Sequence, residues 1–501
     1  MNTAHPASPR AWAAAGTVAA LAGLALGHLA AAATEPRSAP LSALSDLVVA
    51  RSPAGFTRWA IDTFGTADKP LLVAGLAIGL AAVGALAGLA WRRHPGRGVG
   101  VFAACAAIGT AAAVTRPGLG AAAAVPSILA AALAALGLVW WDRRGRAATV
   151  TGRRGFLWGA AAVAAAAVGA SWWAARVGPA AIEADRESLD LPAPDVPAVE
   201  PGPVADFDVQ GLAPYRTPNR DFYRIDTAIT VPRIDVDAWR LRVHGMVDRE
   251  LTFTFDDLLG RELIERDITL CCVSNRVGGD LVGNARWLGV SLADLLAEAG
   301  PDPAADQLVS RSDDGWTAGS PADLVFDGRD AMIALGMNGR PLPVDHGWPA
   351  RLVVPGLYGY VSATKWLTEL ELTTFDAYDA YWITRGWSTP RPVKTASRID
   401  TPRSRSTAGT VVVAGVAWAQ HRGIAAVELQ IDNREWQLCA LSDVATTDTW
   451  RQWRFEWDAA PGEHRLTVRA TDGDGNVQTS EVQGVAPDGA TGLHSVTVAV
   501  E

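Results

Sequence analysis

The stretch Thr269-Leu270-Cys271-Cys272-Val273-Ser274-Asn275-Arg276-Val277-Gly278-Gly279 sets a thiol where an apolar strand runs out into a glycine turn. Cys272 is the residue to weigh. A thiolate beside Arg276 and exposed backbone amides is a soft ligand for a metal. For the residue taken alone, a buried free cysteine packed as a small hydrophobe is the better account, and the surrounding segments reverse it. The chain has 501 residues and only four cysteines, Cys105, Cys271, Cys272 and Cys439. Adjacent cysteines pair only under strain, so no structural disulfide is expected. The absence of CxxCH argues against c-type haem.

Outward from this point the composition divides sharply. Residues 1–175 are rich in Ala, Leu, Gly and Val, whereas residues 180–501 carry most of the acids and so the net charge of −9. An acidic soluble part lacks the basic face that nucleic-acid binding needs. No glycine-rich phosphate fingerprint follows a strand, so a nucleotide cofactor is not indicated.

Five apolar stretches, at 11–33, 70–91, 99–115, 119–141 and 155–175, are long enough, or nearly so, to cross a bilayer as helices. The third is the shortest and is glycine-rich. Arg10, then Arg92, Arg93 and Arg97, then Arg143, Arg144, Arg146, Arg153 and Arg154 fall on one side if all five cross. The positive-inside rule makes that side cytoplasmic and delivers residues 176–501 to the outside. Leu41–Val49 reads as a surface-lying helix. Thr151-Gly152-Arg153-Arg154-Gly155-Phe156-Leu157 resembles a twin-arginine export signal, a route for proteins already folded; positive-inside anchoring explains the same arginines. His28 is the only histidine within a span, whereas haem between helices usually takes two ligands. These spans read as an anchor and partner-docking surface.

Residues 176–218 are rich in proline and acid and read as an extended spacer. Residues 219–400 give a mixed α+β pattern. Trp239–Gly245 reads as a strand, Phe255–Leu263 and Leu292–Ala299 as short helices, and Arg351–Gly356 as a buried strand. Residues 401–501 alternate in short strands with turns such as Pro461-Gly462, which predicts an all-β immunoglobulin-like sandwich. Asp472–Asn476 lacks the later bidentate acid of a calcium loop and reads as a hairpin turn.

Residues from about Asn219 to Glu501 resemble the sulfite oxidase family of molybdenum-cofactor enzymes. The resemblance is carried by Phe222-Tyr223-Arg224, the Cys272 stretch, Ala285-Arg286-Trp287-Leu288-Gly289-Val290, and Met337–Arg351 with its Asp345-His346-Gly347-Trp348-Pro349, continuing to Lys365-Trp366. It implies a molybdenum-molybdopterin cofactor with Cys272 as the thiolate on the metal. It assigns the pterin to Phe222, Tyr223, Arg224, Asn275, Asp314, Ser320, His346, Arg351, Ala363, Thr364 and Lys365. Arg351, His346 and Lys365 are suited to donate to its phosphate and ring.

For the substrate it implies a small anionic or polar oxo-compound held by Arg224 and by Arg422 from the sandwich. Departures fall at this pocket. Arg276 is followed by Val277 rather than a second arginine, the loop Val277–Ala285 is short, and the family's active-site tyrosine falls near Trp387. The expected protein is a membrane-anchored oxidoreductase performing two-electron oxygen-atom transfer, with an external electron acceptor or donor and a possible homodimer. No haem or flavin motif is present. A sulfoxide-type reductase and a non-catalytic surface-binding protein are the alternatives.

Overall fold

The protein was analysed as a computed structural model, which describes residues 8–64, 67–116, 118–146 and 182–501. The expected fifth span and the Arg153-Arg154 pair lie outside the described residues. The chain forms two units. One comprises Met1–Asp185 with Thr227–Arg233, and the other Arg186–Asp226 with Ile234–Glu501.

The first unit is helical. Its helices are α1 (Pro9–Ala33), α2 (Pro40–Arg51), α3 (Ala54–Phe64), α4 (Asp68–Arg93), α5 (Pro95–Val114) and α6 (Val125–Arg146). Proline opens α1, α2 and α5, where its missing N–H costs nothing. Among the described residues four segments are long and apolar enough to cross a membrane: Pro9–Ala33, Asp68–Arg93, Pro95–Val114 and Ala121–Arg143. The short third stretch of the sequence is thus a full helix, α5.

Trp12, Ala19, Ala87, Phe102, Leu138 and Trp141 form the core shared by α1, α4, α5 and α6. A Cβ on Gly16 or Gly88 would run into the facing backbone of α4 or α1. Small residues permit the close helix approach on which packing in lipid relies. Ala43 of α2 is fully buried against Ala112 and Ala113 of α5. Thr230 meets Ser42 at 3.1 Å, and Lys69 donates to the Ala228 carbonyl at 2.9 Å.

The second unit is β-rich. β3 (Leu263–Cys271), β4 (Val282–Ser291), β7 (Met332–Met337) and β8 (Arg340–Pro341) form one sheet, with β9 (Arg351–Val353) paired to β7. A second sheet runs in the order β2 (Leu251–Phe253), β1 (Leu241–Gly245), β10 (Leu367–Thr373), β5 (Gln307–Ser312), β6 (Thr317–Pro321). Only β1–β10 is parallel within that sheet. Helices are short: α7 (Phe255–Leu259), α8 (Leu292–Ala297) and α9 (Gly359–Ser362). The helix expected over Phe255–Leu263 stops at Gly260, because Leu263 already enters β3. Ser291 caps α8 as expected, accepting from Asp294 N at 3.2 Å.

Two further sheets enclose one apolar core containing Val413, Val427, Leu429, Trp453, Leu466, Val468 and Val498. One sheet has β11 (Ala396–Thr401), β13 (Gly409–Trp418), β17 (Arg451–Ala459) and β16 (Ala440–Leu441). The other has β12 (Arg405–Ser406), β19 (His494–Val500), β18 (Gly462–Asp472), β14 (Ile424–Ile431) and β15 (Gln437–Leu438).

Residues 186–218 do not behave as the expected spacer. From residue 189 onward they lie extended along the second unit. Val196 N donates to Leu263 O at 3.0 Å, Glu265 N to Val196 O at 2.9 Å, and Phe207 N to the Gln452 side chain at 2.7 Å. Prolines deny the strap a regular ladder but leave enough donors to anchor it.

Candidate active site

The β3–β4 hairpin ends on the loop 272–281. Cys272 N donates to Leu281 O at 2.9 Å, and Asn275 N to Cys272 O at 3.0 Å. Asn275 Oδ1 accepts from Leu281 N at 3.0 Å, so this buried amide braces the loop internally. Cys272 is the first residue past the strand. Its sulfur receives the Ser274 amide at 3.4 Å. Burial pushes the thiol up from its ordinary value, and the Ser274 amide pulls it back. A cation at this sulfur would displace the proton that burial favours.

A strap from Tyr215 to Asp226 lies beside this loop. Asp267 of β3 anchors it, accepting from both Arg216 (3.1 and 2.9 Å) and Arg286 of β4 (2.9 and 3.0 Å). Glu200 joins both arginines, which hold its carboxyl at about 2 against desolvation. Asn338 continues the anchorage through Thr217 O at 2.9 Å and Asn219 Oδ1 at 2.7 Å. The strap thereby presents Phe222, buried against Tyr223 (ring centroids 5.2 Å), His346 (5.6 Å) and Trp287 (5.9 Å). A Cβ at Gly283 of β4 would strike the Phe222 ring. The Tyr223 hydroxyl is pushed well up by burial and by the charge of Cys272 and Cys271, with Arg351 opposing.

Arg351 begins β9 and is buried. Its Nη1 donates to His346 O at 3.1 Å and its Nη2 to Ala363 O at 3.3 Å, and its guanidinium sits 4.9 Å from the Trp287 ring centre. Its Nε is buried with no hydrogen-bond partner, and no carboxylate among the described residues pairs with it. Burial lowers its pKa to about 10. A buried guanidinium without a counter-ion is a place made for an anion.

His346 Nε2 faces the Asn219 carbonyl at 2.9 Å. A carbonyl only accepts, so Nε2 carries the proton and Nδ1 is left as an acceptor in the neutral ring. Burial, then the Arg351 charge, lowers its pKa to about 4.

The unfolded chain takes up a proton near the ordinary value of 6.5. Stability is therefore fully present above pH 6.5 and is lost as the pH falls toward 4, by an amount on the order of 3 kcal/mol. His346→Gln is expected to flatten this part of the unfolding free-energy profile. An unchanged slope would place the acid sensitivity elsewhere.

Lys365 Nζ donates to Asp226 Oδ2 at 2.9 Å and to Asp345 O at 3.2 Å. Burial lowers it to about 8, with Asp226 opposing. Trp366 follows it with φ +52°, an uncommon backbone for a bulky side chain, held by Nε1 to Val344 O at 2.8 Å. Gly347 has φ +115°, and a Cβ there would lie 3.1 Å from Lys365 Cα, so glycine lets the Val344–His346 turn close on Lys365. Arg224 Nε donates to Asp226 Oδ2 at 2.9 Å and its Nη1 lies 3.1 Å from Asp345 Oδ2.

The fold thus gathers Phe222, Tyr223, Arg224, His346, Arg351, Ala363 and Lys365 into one cluster, which Tyr223 connects to Cys272. Other expected site residues spend their side chains on structure. Asp314 Oδ1 accepts from Trp316 N at 3.0 Å in the β5–β6 turn. Thr364 Oγ1 meets Ser310 at 2.6 Å, and Ser320 Oγ donates to Val361 O at 2.5 Å. Arg422 is tied to Asp472 (3.0 Å) and to Val393 O (2.8 Å). It lines a cavity of about 450 Å³ with Cys271, Asn275, Arg276, Tyr358 and Trp418, and Cys272 is not among the lining residues. Trp387 packs on Tyr360 at 6.0 Å and does not line that cavity. Asp226, which the sequence reading missed, joins Arg224 to Lys365; an acid two residues after Arg224 was the available signal.

Among the described residues no group of three His, Cys, Asp or Glu side chains converges on a metal site. A metal on Cys272 would need its other ligands from outside the chain. A dithiolene-bearing pterin carries such ligands and a phosphate, which fits a single thiol beside an unneutralised arginine.

Comparison with known proteins agrees. Residues 228–382 match the family model of the oxidoreductase molybdopterin binding domain. The uncharacterized oxidoreductase YuiH of Bacillus subtilis is 31% identical over 153 residues, 30% of this chain and 74% of that protein. The chain belongs to the sulfite oxidase family of molybdopterin-dependent oxidoreductases.

Within the family, human mitochondrial sulfite oxidase is 28% identical over 319 residues, covering 54% of this chain and 58% of the human protein. The chain thus matches a little over half the length of that relative. The crystal structure of sulfane dehydrogenase SoxCD from Paracoccus pantotrophus has the same fold over 60% of this chain and 88% of that one (TM-score 0.50, 24% identity). Family membership implies the molybdenum cofactor for this oxidoreductase.

Proposed function

We propose that this protein is a membrane-anchored oxidoreductase that transfers an oxygen atom, with two electrons, to or from a small anionic or polar oxo-substrate at molybdenum. One observation carries the reading: Tyr223 feels the charge of the buried Cys272 thiol and of the buried Arg351 guanidinium, which pairs with no carboxylate among the described residues. The bound cofactor supplies a metal that accepts or gives two electrons with an oxygen atom. The chain's residues hold and shield it. With the cofactor bound, Arg351 would donate to its phosphate, Lys365 and Arg224 would add positive charge beside it, and neutral His346 would offer an acceptor nitrogen. Phe222, Tyr223 and Trp287 exclude water from this side. Asn275 keeps the Cys272 loop in shape.

The catalytic domain faces away from the cytoplasm, with folded export through the Arg153-Arg154 segment. The two C-terminal sheets form an immunoglobulin-like module that pairs two copies. Electrons pass to or from an external partner. Sulfite-like oxidation is the favoured direction, and the missing second arginine after Arg276 makes a substrate other than sulfite a specific arm of the test.

The full chain is expressed in a host that makes the cofactor and exports folded proteins. Molybdenum is measured per chain, and turnover is assayed with sulfite plus an artificial acceptor and with sulfoxides plus a donor. About one metal per chain with turnover in either assay supports the reading. A well-folded chain free of molybdenum would sink it.

A further inference from the structure

We propose that Asp226 is a positioning residue that yokes Arg224 and Lys365 into one cationic clamp at the edge of the cofactor cradle. The inference rests on the reading that this cradle receives a phosphate. The geometry is specific. A single oxygen, Asp226 Oδ2, accepts from Arg224 Nε at 2.9 Å and from Lys365 Nζ at 2.9 Å. The Asp226 side chain is 5% exposed and that of Lys365 10%, so both charges are largely shielded from water. Arg224 is 40% exposed and reaches in from the rim.

The surrounding elements supply Arg351, neutral His346, and Asp345. Of these only Asp345 is an acid. Its carboxylate is half-exposed and meets Arg224, and its backbone oxygen, not its carboxylate, meets Lys365. Asp226 is therefore the only acid among the described residues that pairs with Lys365.

Two consequences follow from charge alone. Without Asp226, two cations and the nearby Arg351 repel one another in a poorly solvated site. Lys365 then gives up its proton more readily, and Arg224 swings out. With Asp226 present, both donors are ordered before any anion arrives, so less freedom is lost when a phosphate binds. Neither effect requires Asp226 to touch the cofactor.

The test uses the full chain prepared from cells unable to make the pterin, alongside the loaded protein. Lys365 acylation by a small reagent is followed by mass spectrometry against pH for wild type, Asp226→Asn and Asp226→Glu. The Lys365 profile of Asp226→Asn is expected to move down by about one to three pH units, with labelling at neutral pH at least about tenfold faster. Asp226→Glu should restore most of the shift. Lys394, paired with Asp488 at 2.9 Å, is the internal control for folding and should label unchanged. In the loaded protein, pterin and molybdenum per chain should fall several-fold in Asp226→Asn and recover in Asp226→Glu.

An unshifted Lys365 profile in a folded Asp226→Asn chain overturns the proposal. So does an altered profile accompanied by full cofactor content. Absence of cofactor from the wild type would instead defeat the functional reading, while the labelling result would still decide whether Asp226 governs Lys365.

Discussion

Arg351→Met is expected to cut pterin and molybdenum content by about a hundredfold in affinity while leaving the cofactor-free protein folded. The two effects have different origins. Arg351 is the buried cation of the cradle, and its Nε has no partner among the described residues. A phosphate accepting from it gains charge-assisted hydrogen bonds worth about 2–3 kcal/mol. Loss of that term is roughly a hundredfold in binding.

In the cofactor-free chain the same guanidinium is a burden, as its lowered pKa shows. Methionine fills similar volume against Trp287 without a charge. It gives up the bonds to His346 O and Ala363 O, so the net change in stability should lie between nothing and a gain of about 2 kcal/mol. Elemental and pterin analysis, with denaturant unfolding of the cofactor-free protein, checks both halves. A large loss of stability with cofactor retained would make Arg351 a structural strut.

Cys272→Ser should do the opposite: keep the pterin and lose the chemistry. Serine fits the same turn, and its oxygen still accepts the Ser274 amide. It is a hard donor whose proton is not displaced at neutral pH, so the soft metal loses its protein ligand. Outer-shell changes alone commonly cost ten- to a hundredfold in metal affinity or activity, and loss of the ligand itself should exceed about a hundredfold.

Cys271→Ser is the control, expected to retain metal and activity. Cys271 lines the neighbouring cavity, and its thiol donates to Cys272 O at 3.5 Å. Steady-state turnover alongside pterin quantification separates the two cysteines. Equal losses from both substitutions would mean the loop tolerates neither change, and Cys272 would lose its special place.

Much of this was legible in the chain. The long apolar stretches forecast α1, α4, α5 and α6, because a 20-residue hydrophobic helix needs no tertiary help to be recognised. The alternation across residues 401–501 forecast β13, β14, β17 and β18, since packing over one core leaves a period of two. Ser291 announced the start of α8. The order of the Phe222, Cys272, His346, Arg351 and Lys365 segments announced the family.

Elsewhere the linear pattern was silent or misleading. The proline-rich stretch read as a spacer, yet donors such as Val196 N found acceptors on β3 that lie far along the chain. The resemblance gave Arg422 to the substrate, and the linear pattern was silent on its pairing with Asp472, fifty residues on, beside the cavity that both line.

The sequence by itself determined the long apolar helices, the molybdopterin-binding family and the two-sheet module, because each rests on local periodicity or on motifs of contiguous residues. Only the tertiary structure decided which charges meet. That no carboxylate among the described residues pairs with Arg351, that Arg224 and Lys365 share one oxygen of Asp226, and that Cys271 but not Cys272 lines the neighbouring cavity are consequences of how distant segments are brought together. The strength of an ionic or hydrogen-bonded contact depends on distance and on exclusion of water, and neither is written in any single stretch of the chain.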